Sequence, residues 1–142
     1  MGPSRGRCWC GMQNGTAKLT TDPRRTLGDF GERIAARHLQ GKGYRIIDRN
    51  HRTREGEIDI IAQTADTIAF VEVRTRRGDL MGSAAESITA VKAARLVALA
   101  EAYAAERPGL PEGRRIDLIA IDLARDGRMV SLQHFENAVT AD

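Results

Sequence analysis

The segment GEIDIIAQTADTIAFVEVRT, residues 56–75, contains two apolar stretches separated by a short polar stretch. Its residue types and turn signals predict a β-hairpin with strands at 56–62 and 67–75 and a turn at 63–66. The second strand is almost entirely apolar from Ile68 to Val73. A strand with two apolar faces usually lies at the centre of a sheet that is covered on both sides. The segment therefore predicts a sheet with helices packed against it.

Two acidic residues interrupt these apolar strands, Asp59 in the first and Glu72 in the second. Directly opposed residues of an antiparallel hairpin have numbers with a constant sum, and a turn centred between residues 65 and 66 makes that sum 131. Asp59 then faces Glu72 on one face of the sheet, with the two Cβ atoms about 5 Å apart. Glu57 and Arg74 lie two residues along on the same face.

Two unpaired carboxylates in this position would repel each other, and removing them from water would cost free energy. A hard divalent cation removes both penalties, and Mg²⁺ commonly uses only one or two protein carboxylates. Arg74 would then contact a negatively charged substrate. The alternative is that both acids form ion pairs with Arg74 on an exposed sheet face. Spacing alone leaves the two interpretations open.

Apolar periodicity and turn signals predict two helices and three further strands in the rest of the chain. The expected elements, in chain order, are a helix over about 26–41, a strand at 44–48, the hairpin, a helix that ends near residue 106, and strands at 115–123 and 129–135. The second helix begins at Thr89 or at a capping box formed by Ser83 and Glu86. The order α-β-β-β-α-β-β predicts an α/β fold with helices flanking one sheet.

Two charged residues on the predicted helices are further candidates. Glu32 lies on the flank of the first helix, where it either reaches over a strand edge toward the acidic pair or is a solvated helix acid. Lys92 starts an apolar stripe that continues through Leu96 and Leu99. Its ammonium either extends out of the core or points at an anion bound near the helix start.

The other polar residues contain weaker signals. The three histidines have no metal-ligand spacing among them, and the sequence has no Ser-His-Asp signature and no Gly-rich phosphate loop. Asp117 lies in a predicted strand close to Arg114 and Arg115, where ion pairing is the expected role. A covalent-nucleophile mechanism therefore has no support in the sequence.

Composition excludes several classes of protein. The 142 residues are 42% hydrophobic and 29% charged, as in globular domains, and no apolar run reaches the roughly 20 residues of a membrane span. Residues 1–25, with five basic groups and one acid, predict a disordered basic tail before a single domain at 26–142. Cys8 and Cys10 cannot alone form a disulfide framework or a four-ligand zinc site. No secretory signal is visible, so the cytoplasm is the expected location.

Net charge does not establish a nucleic-acid partner. The chain carries a formal charge of +3, but residues 26–142 contain 17 basic and 18 acidic groups. Local clusters of arginine can still create positive fields on part of the surface. The acidic motifs are therefore the stronger indication of function.

These motifs resemble those of the YraN-like family of bacterial predicted endonucleases, which is distantly similar to archaeal Holliday junction resolvases. The resemblance covers the chain from Leu27 to the C-terminus. It is carried by Gly31-Glu32, Gly56-Glu57-Ile58-Asp59, Phe70-Val71-Glu72-Val73-Arg74, and Thr89 with Lys92. It implies the restriction-endonuclease-like mixed sheet of the PD-(D/E)xK nuclease superfamily.

The resemblance also implies roles for individual residues. Asp59 matches the aspartate of the superfamily motif, Glu72 matches its second acid, and Arg74 stands where lysine is usual. Glu32 matches a glutamate that some resolvase-like members contribute from the first helix. Arginine does not readily lose a proton, so Arg74 is expected to bind phosphate and stabilise charge rather than act as a base.

The resulting hypothesis is a Mg²⁺-dependent endonuclease that cleaves DNA, with Mn²⁺ as a substitute ion. Arg74 and Lys92 would stabilise the phosphate. The expected metal ligands are Asp59, Glu72 and the backbone carbonyl of Val73, and Glu32 and Glu57 are expected in a second tier, as outer-shell groups or as ligands of a second metal ion. The expected nucleic-acid contacts are Arg52, Arg54, Arg76, Arg77 and Lys92.

Analogy with resolvases adds branched DNA as the substrate and a homodimer as the assembly. Two other functions fit the same motifs. One is a binding module that keeps the nuclease fold and recognises nucleic acid or a protein partner without cleavage. The other is a nuclease that acts on RNA, since nothing in the motifs distinguishes the sugar.

Overall fold

The computed structural model describes residues 23–78 and 88–139, with side chains from residue 27 onward. Within these residues two helices and five strands follow one another in the predicted order. They are α1 (Pro23–Gly41), β1 (Arg45–Thr53), β2 (Gly56–Gln63), β3 (Thr67–Arg77), α2 (Ala90–Ala105), β4 (Gly113–Leu123) and β5 (Met129–Val139). The predicted α/β fold class and element order are confirmed.

Helix α1 starts earlier than predicted, whereas α2 starts at one of its two predicted caps. Helix α1 begins at Pro23, inside the segment predicted to be a tail, and proline suits the first turn because it has no N–H to leave unpaired. Helix α2 begins after Thr89, whose hydroxyl accepts a 3.2 Å hydrogen bond from the backbone N–H of Lys92. The alternative cap at Ser83 and Glu86 lies outside the described residues, as do residues 1–22.

The five strands form one mixed sheet in the order β1-β2-β3-β4-β5. Strands β3 and β4 are parallel and are connected through α2, whereas the other neighbours are antiparallel. In the central hairpin Ile60 pairs with Val71 and Ile61 with Phe70. These numbers sum to 131, so the predicted register is confirmed.

The sheet opens into a fork between β2 and β3. These strands pair only from Ile60 to Gln63 and from Ile68 to Val71. Beyond that point β2 stays paired with β1 as far back as Gly56, and β3 stays paired with β4 as far as residue 77. The fork therefore has a β1–β2 arm and a β3–β4 arm, and it opens at Asp59 and Glu72.

Each face of the sheet is covered by one helix, as the apolar central strand predicts. The core under α1 includes Ala35, Leu39, Ile60, Val71 and Ile119. The core under α2 includes Leu96, Leu99, Tyr103, Ile61 and Phe70. Among residues 23–78 and 88–139, no helix has the length and apolarity required to cross a membrane.

Candidate metal centre at the fork

Asp59 lies at an irregularity of β2. Ile58 belongs to the core under α2 whereas Ile60 belongs to the core under α1, so the usual alternation is interrupted between them. On β1, Asn50 lies between the partners of these two residues and has a positive φ of 52°. The Asp59 carboxylate accepts a 2.8 Å hydrogen bond from the backbone N–H of Val73. It thus takes the place of a β2–β3 backbone hydrogen bond where the fork opens.

This geometry corrects the expectation that Asp59 and Glu72 stand side by side on one face. Glu72 follows the alternation of β3 and lies on the α2 side with Phe70, where it contacts α2. The Asp59 carboxylate instead lies between the strands, against the backbone of β3. The physical reason is that the alternation of side chains along β2 is interrupted at Asp59. The pairing register alone does not predict such an interruption.

The two acids nevertheless affect each other electrostatically. Burial raises the pKa of Asp59 to about 8, and the negative charge of Glu72 contributes to the rise. The hydrogen bond from Val73 lowers the pKa, while the charges of Glu32 and Glu57 raise it further. An ionised Asp59 is therefore costly at neutral pH unless a positive charge lies close to it.

Three carboxylates meet beside the fork. One oxygen each from Glu32 on α1 and from Glu57 and Asp59 on β2 lie within 4.8 Å of one another. Glu32 is only 9% exposed, and its Oε1 has no hydrogen-bond partner among the described residues. Burial raises the pKa of Glu32, and a hydrogen bond from Asn50 and the charge of Arg49 only partly offset this effect.

This acidic group, Glu32, Glu57 and Asp59, fits a hard divalent cation. Its donors are all carboxylate oxygens, which Mg²⁺ and Mn²⁺ prefer. Two oxygens bound to one Mg²⁺ are at most about 4.2 Å apart, so small side-chain rotations would bring the three oxygens into range. A cation would also satisfy the buried Oε1 of Glu32, for which the described part of the chain supplies no hydrogen-bond partner.

Glu72 has a different partner. It is 6% exposed, and its Oε2 lies 3.0 Å from Nζ of Lys92. Lys92 stands in the first turn of α2, which Thr89 caps. The sequence left two roles open for this lysine, and in the structure the anion that it contacts is Glu72 itself. Glu72 is therefore a neutralised acid beside Asp59 rather than a member of the acidic group.

The sequence profile of the uncharacterised protein family UPF0102 matches residues 31–121. A UPF0102 protein of Pelotomaculum thermopropionicum is 47% identical over 117 residues, which are 82% of this chain and 98% of the relative. The chain belongs to the UPF0102 family. A UPF0102 protein of Roseiflexus castenholzii is 48% identical over 121 residues, covering 84% of this chain and 97% of the relative. Both relatives are named for the UPF0102 family and for no activity, so the relation to resolvase-like nucleases stays a prediction.

The UPF0102 match begins at Gly31, where α1 approaches β3 closely. A Cβ atom added to Gly31 would lie 1.9 Å from Oγ1 of Thr75, a distance that forces a displacement. The missing side chain lets the helix lie against the β3–β4 arm and carries the neighbouring Glu32 to the fork. The matched range also contains the other two acids of the acidic group.

Arginines lie on both arms of the fork. On the β1–β2 arm, Arg52 is exposed, with its Nε 3.5 Å from Oε1 of Glu57, and Arg54 is exposed in the turn that follows. On the β3–β4 arm, Arg77 donates a 2.9 Å hydrogen bond to the carbonyl of Arg125. The predicted nucleic-acid contacts thus flank the acidic group instead of forming one compact patch.

Two arginines lie nearer to the opening of the fork. Arg74 and Arg76 are both half-buried on β3, beyond the last residue that pairs with β2. Arg74 is two residues from Glu72, as predicted. Its backbone pairs with Ala120 of β4, so the β3–β4 arm holds it in place.

Asn50 is the site residue that the sequence analysis missed. Its positive φ bends β1 beside Asp59, and its side chain hydrogen-bonds to Glu32. Asparagine is among the few residues that tolerate this backbone conformation. The residue type was therefore a weak signal for a bend, but it contained no information about the partner on α1.

Proposed function

We propose that the protein is a metal-dependent nuclease that hydrolyses phosphodiester bonds in DNA. One observation carries the proposal: three carboxylates converge at the fork, and one of their oxygens, Glu32 Oε1, is buried without a partner in residues 23–78 and 88–139. The motif resemblance to resolvase-like nucleases supports the same chemistry. Metal-assisted hydrolysis of phosphate esters depends on this kind of site, in which carboxylates leave metal positions open for water and phosphate.

In this proposal Asp59 is the central metal ligand, and Glu32 and Glu57 complete the carboxylate set. The hydrogen bond from the Val73 N–H fixes Oδ2 of Asp59, which reduces the freedom lost on binding. The N–H and C=O of one residue in a strand point to the same side, so the Val73 carbonyl faces the fork and is available as a fourth ligand. Bound Mg²⁺ would supply positive charge and lower the pKa of a coordinated water.

Glu72 and Lys92 act as a pair on the other side of the fork. The ammonium of Lys92 neutralises Glu72, which lies beside an acid whose pKa is already raised. A bound phosphate would accept a hydrogen bond from Lys92, and Glu72 would then be free to serve as a further ligand for Mg²⁺. Arg74 supplies a permanent positive charge on β3 and stabilises the negative charge of the transition state.

A binding module without cleavage is the second candidate. The observation that favours it is the 3.0 Å ion pair between Glu72 and Lys92, which leaves Glu72 satisfied without a metal. Such a module would use the arginines of the two arms to bind phosphates. It would bind nucleic acid equally well in Mg²⁺ and in chelator.

A cleavage assay separates these functions. Labelled branched, duplex and single-stranded DNA, and RNA of the same sequences, are incubated with the protein in Mg²⁺, Mn²⁺ or chelator. We expect metal-dependent cleavage of DNA that falls by about 100-fold or more in Asp59→Asn. Glu112→Gln, in the exposed loop before β4, is the matched control and should cleave as the wild type does.

Three outcomes would contradict the proposal. Equal cleavage by Asp59→Asn and the wild type would identify a contaminating nuclease. Binding of DNA without cleavage in either metal would favour the binding module. Cleavage confined to RNA would replace the substrate while leaving the metal chemistry in place.

A further inference from the structure

Three exposed arginines lie on the side of the sheet that α1 covers. They are Arg33 and Arg37 on α1 and Arg49 on β1. None of the three is among the nucleic-acid contacts expected from the sequence. In the part of the chain that the structure describes, none of their guanidinium groups forms a salt bridge with a carboxylate. These guanidinium groups are therefore available to an anionic partner.

Helix geometry places Arg33 and Arg37 on the outer side of α1. Gly31 lies against β3 and Ala35 is fully buried, so these two residues face the sheet. Two residues further along a helix the side chain is rotated by about 200°, which turns Arg33 and Arg37 toward solvent. They are four residues apart and therefore neighbours on the helix surface. The guanidinium of Arg33 also lies 5.8 Å from the centre of the Phe30 ring, a cation–π contact that restricts its position.

Two arginines of β1 lie on the same side of the sheet. Arg49 pairs with Ile60, which belongs to the core under α1, so the Arg49 side chain also projects toward the α1 side. Arg52 pairs with Glu57, and its Nε lies 3.5 Å from Oε1 of that residue. Strand β1 is at the edge of the described sheet, so both arginines are open to solvent.

The acidic group lies between these two pairs of arginines. Burial raises the pKa of Glu32, whereas a hydrogen bond from Asn50 and the charge of Arg49 lower it, so both β1 residues are close to this carboxylate of α1. Glu57 and Asp59 complete the acidic group from β2, which is the neighbour of β1. A ligand bound at the acidic group would therefore have arginines on both sides of it.

This concentration of positive charge is local. Residues 26–142 contain 17 basic and 18 acidic groups, so the domain as a whole has no basic character. The exposed acid nearest in sequence to Arg33 is Asp29, one helical turn earlier, and the two form no salt bridge within the described residues. Arginine binds phosphate oxygens through two parallel N–H groups, and a DNA duplex presents a continuous series of phosphates. The phosphate backbone of DNA is therefore the partner that fits this surface.

We propose that Arg33, Arg37, Arg49 and Arg52, here called the arginine surface, bind backbone phosphates of duplex DNA on both sides of the acidic group. The choice of DNA rests on the proposed function, whereas the position of the surface rests on the fold. Contacts to phosphates fix the orientation of a duplex on a protein without reading its sequence. The arginine surface would thus determine which phosphate lies at the fork.

Binding of labelled duplex DNA, measured by fluorescence anisotropy in chelator at several salt concentrations, tests the arginine surface without cleavage. The double substitution Arg33→Gln/Arg37→Gln should weaken binding by about tenfold or more, and it should reduce the slope of log affinity against log salt by about 2. Arg49→Gln should reduce that slope by about 1. Circular dichroism should show that each variant keeps the wild-type fold, because these side chains are exposed.

The matched control is Arg95→Gln/Arg114→Gln, which also removes two exposed arginines. Arg95 is on α2, and Arg114 pairs with Ile68 of the core under α2, so both lie on the other side of the sheet. This variant should bind DNA about as tightly as the wild type.

The arginine surface is overturned if the wild type does not bind duplex DNA. It is also overturned if Arg33→Gln/Arg37→Gln binds with the wild-type affinity and salt slope, or if the control variant loses as much affinity. This failure is distinct from failure of the nuclease. Unchanged binding by Arg33→Gln/Arg37→Gln beside normal cleavage by the wild type would remove the surface alone, whereas weakened binding beside no cleavage in any metal would support the surface and remove the nuclease.

Discussion

The substitution Asp59→Asn should stabilise the metal-free protein at neutral pH. The pKa of Asp59 is raised from 3.8 to about 8, chiefly by burial and by the charge of Glu72. Between these two pH values the folded state therefore binds more protons than the unfolded state. The stability that protonated Asp59 contributes is fully present below pH 3.8 and is lost as pH rises toward 8. Asparagine is neutral throughout this range and keeps an oxygen for the Val73 N–H.

The size of this change in folding free energy follows from the pKa shift of Asp59. Between pH 3.8 and pH 7 the unfolded chain loses the Asp59 proton whereas the folded protein keeps it, and at 1.36 kcal/mol per pKa unit this difference costs about 4 kcal/mol of folding free energy. In chelator, Asp59→Asn should therefore unfold at higher urea than the wild type at pH 7, and the two proteins should converge near pH 4. Mg²⁺ should stabilise the wild type at pH 7 and have little effect on Asp59→Asn.

Urea unfolding followed by circular dichroism, at several pH values with chelator or Mg²⁺, provides the measurement. Asp126→Asn, in an exposed turn between β4 and β5, controls for the loss of one negative charge and should not change the pH profile. The reasoning is refuted if Asp59→Asn is no more stable than the wild type at pH 7 in chelator. It is also refuted if Mg²⁺ stabilises both proteins equally.

Three further substitutions test other parts of the account by urea unfolding. Gly31→Ala should destabilise the protein by about 1–3 kcal/mol because the new methyl group would meet Thr75. Gly28→Ala is the control, because a methyl group there has open space and should be neutral or stabilising. Equal effects of the two substitutions would contradict the close approach of α1 to β3. Lys92→Met should cost about 1–2 kcal/mol because it leaves a buried carboxylate on β3 without its cation, and an unchanged midpoint would show that the ion pair is unimportant. Asp117→Asn should cost about 3 kcal/mol, and it should flatten the acid limb of the pH profile. Burial opposes the ionisation of Asp117, but its hydrogen bonds lower its pKa below 3.8. The stability that ionised Asp117 contributes is therefore present above pH 3.8 and is lost as pH falls through the lowered pKa. An acid limb that does not change in Asp117→Asn would contradict this explanation.

The hairpin could be predicted from the sequence because its turn is short and its strands are strongly apolar. These two features determine the register, and Ile60 pairs with Val71 as the constant sum requires. The fork could not be predicted in the same way. It depends on Asn50, whose positive φ bends β1, and on the loss of alternation around Asp59. Both are tertiary effects, and the two-residue alternation of a strand sequence does not predict them.

The candidate site was predicted in part. Asp59, Glu57 and Glu32 were all candidates, but helical geometry alone did not show that Glu32 crosses to the fork. The glycine beside it permits that approach, since any side chain at Gly31 would meet β3. Glu72 was expected to bind metal directly, and its ion pair with Lys92 emerges only when α2 packs on the sheet.

The contact between the rings of His38 on α1 and His134 on β5 had no signal in the sequence. His38 and His134 are 96 residues apart, and only the packing of α1 beside β5 brings them together. Asp117 was expected to form an ion pair, and its contact with Arg115 at 2.9 Å confirms this. Its second contact, at 2.9 Å from Nε2 of His134, was not predicted because it depends on how β5 lies beside β4.

The central claim is that the acidic group binds a divalent cation, and a crystal of the wild-type protein soaked in Mn²⁺ tests it most directly. Anomalous scattering locates the ion without assumptions about activity. We expect a peak within about 2.0–2.3 Å of an oxygen of Asp59, with Glu32 or Glu57 as a further ligand. A map with no peak at the fork, or one with Mn²⁺ bound only elsewhere on the surface, would contradict the account.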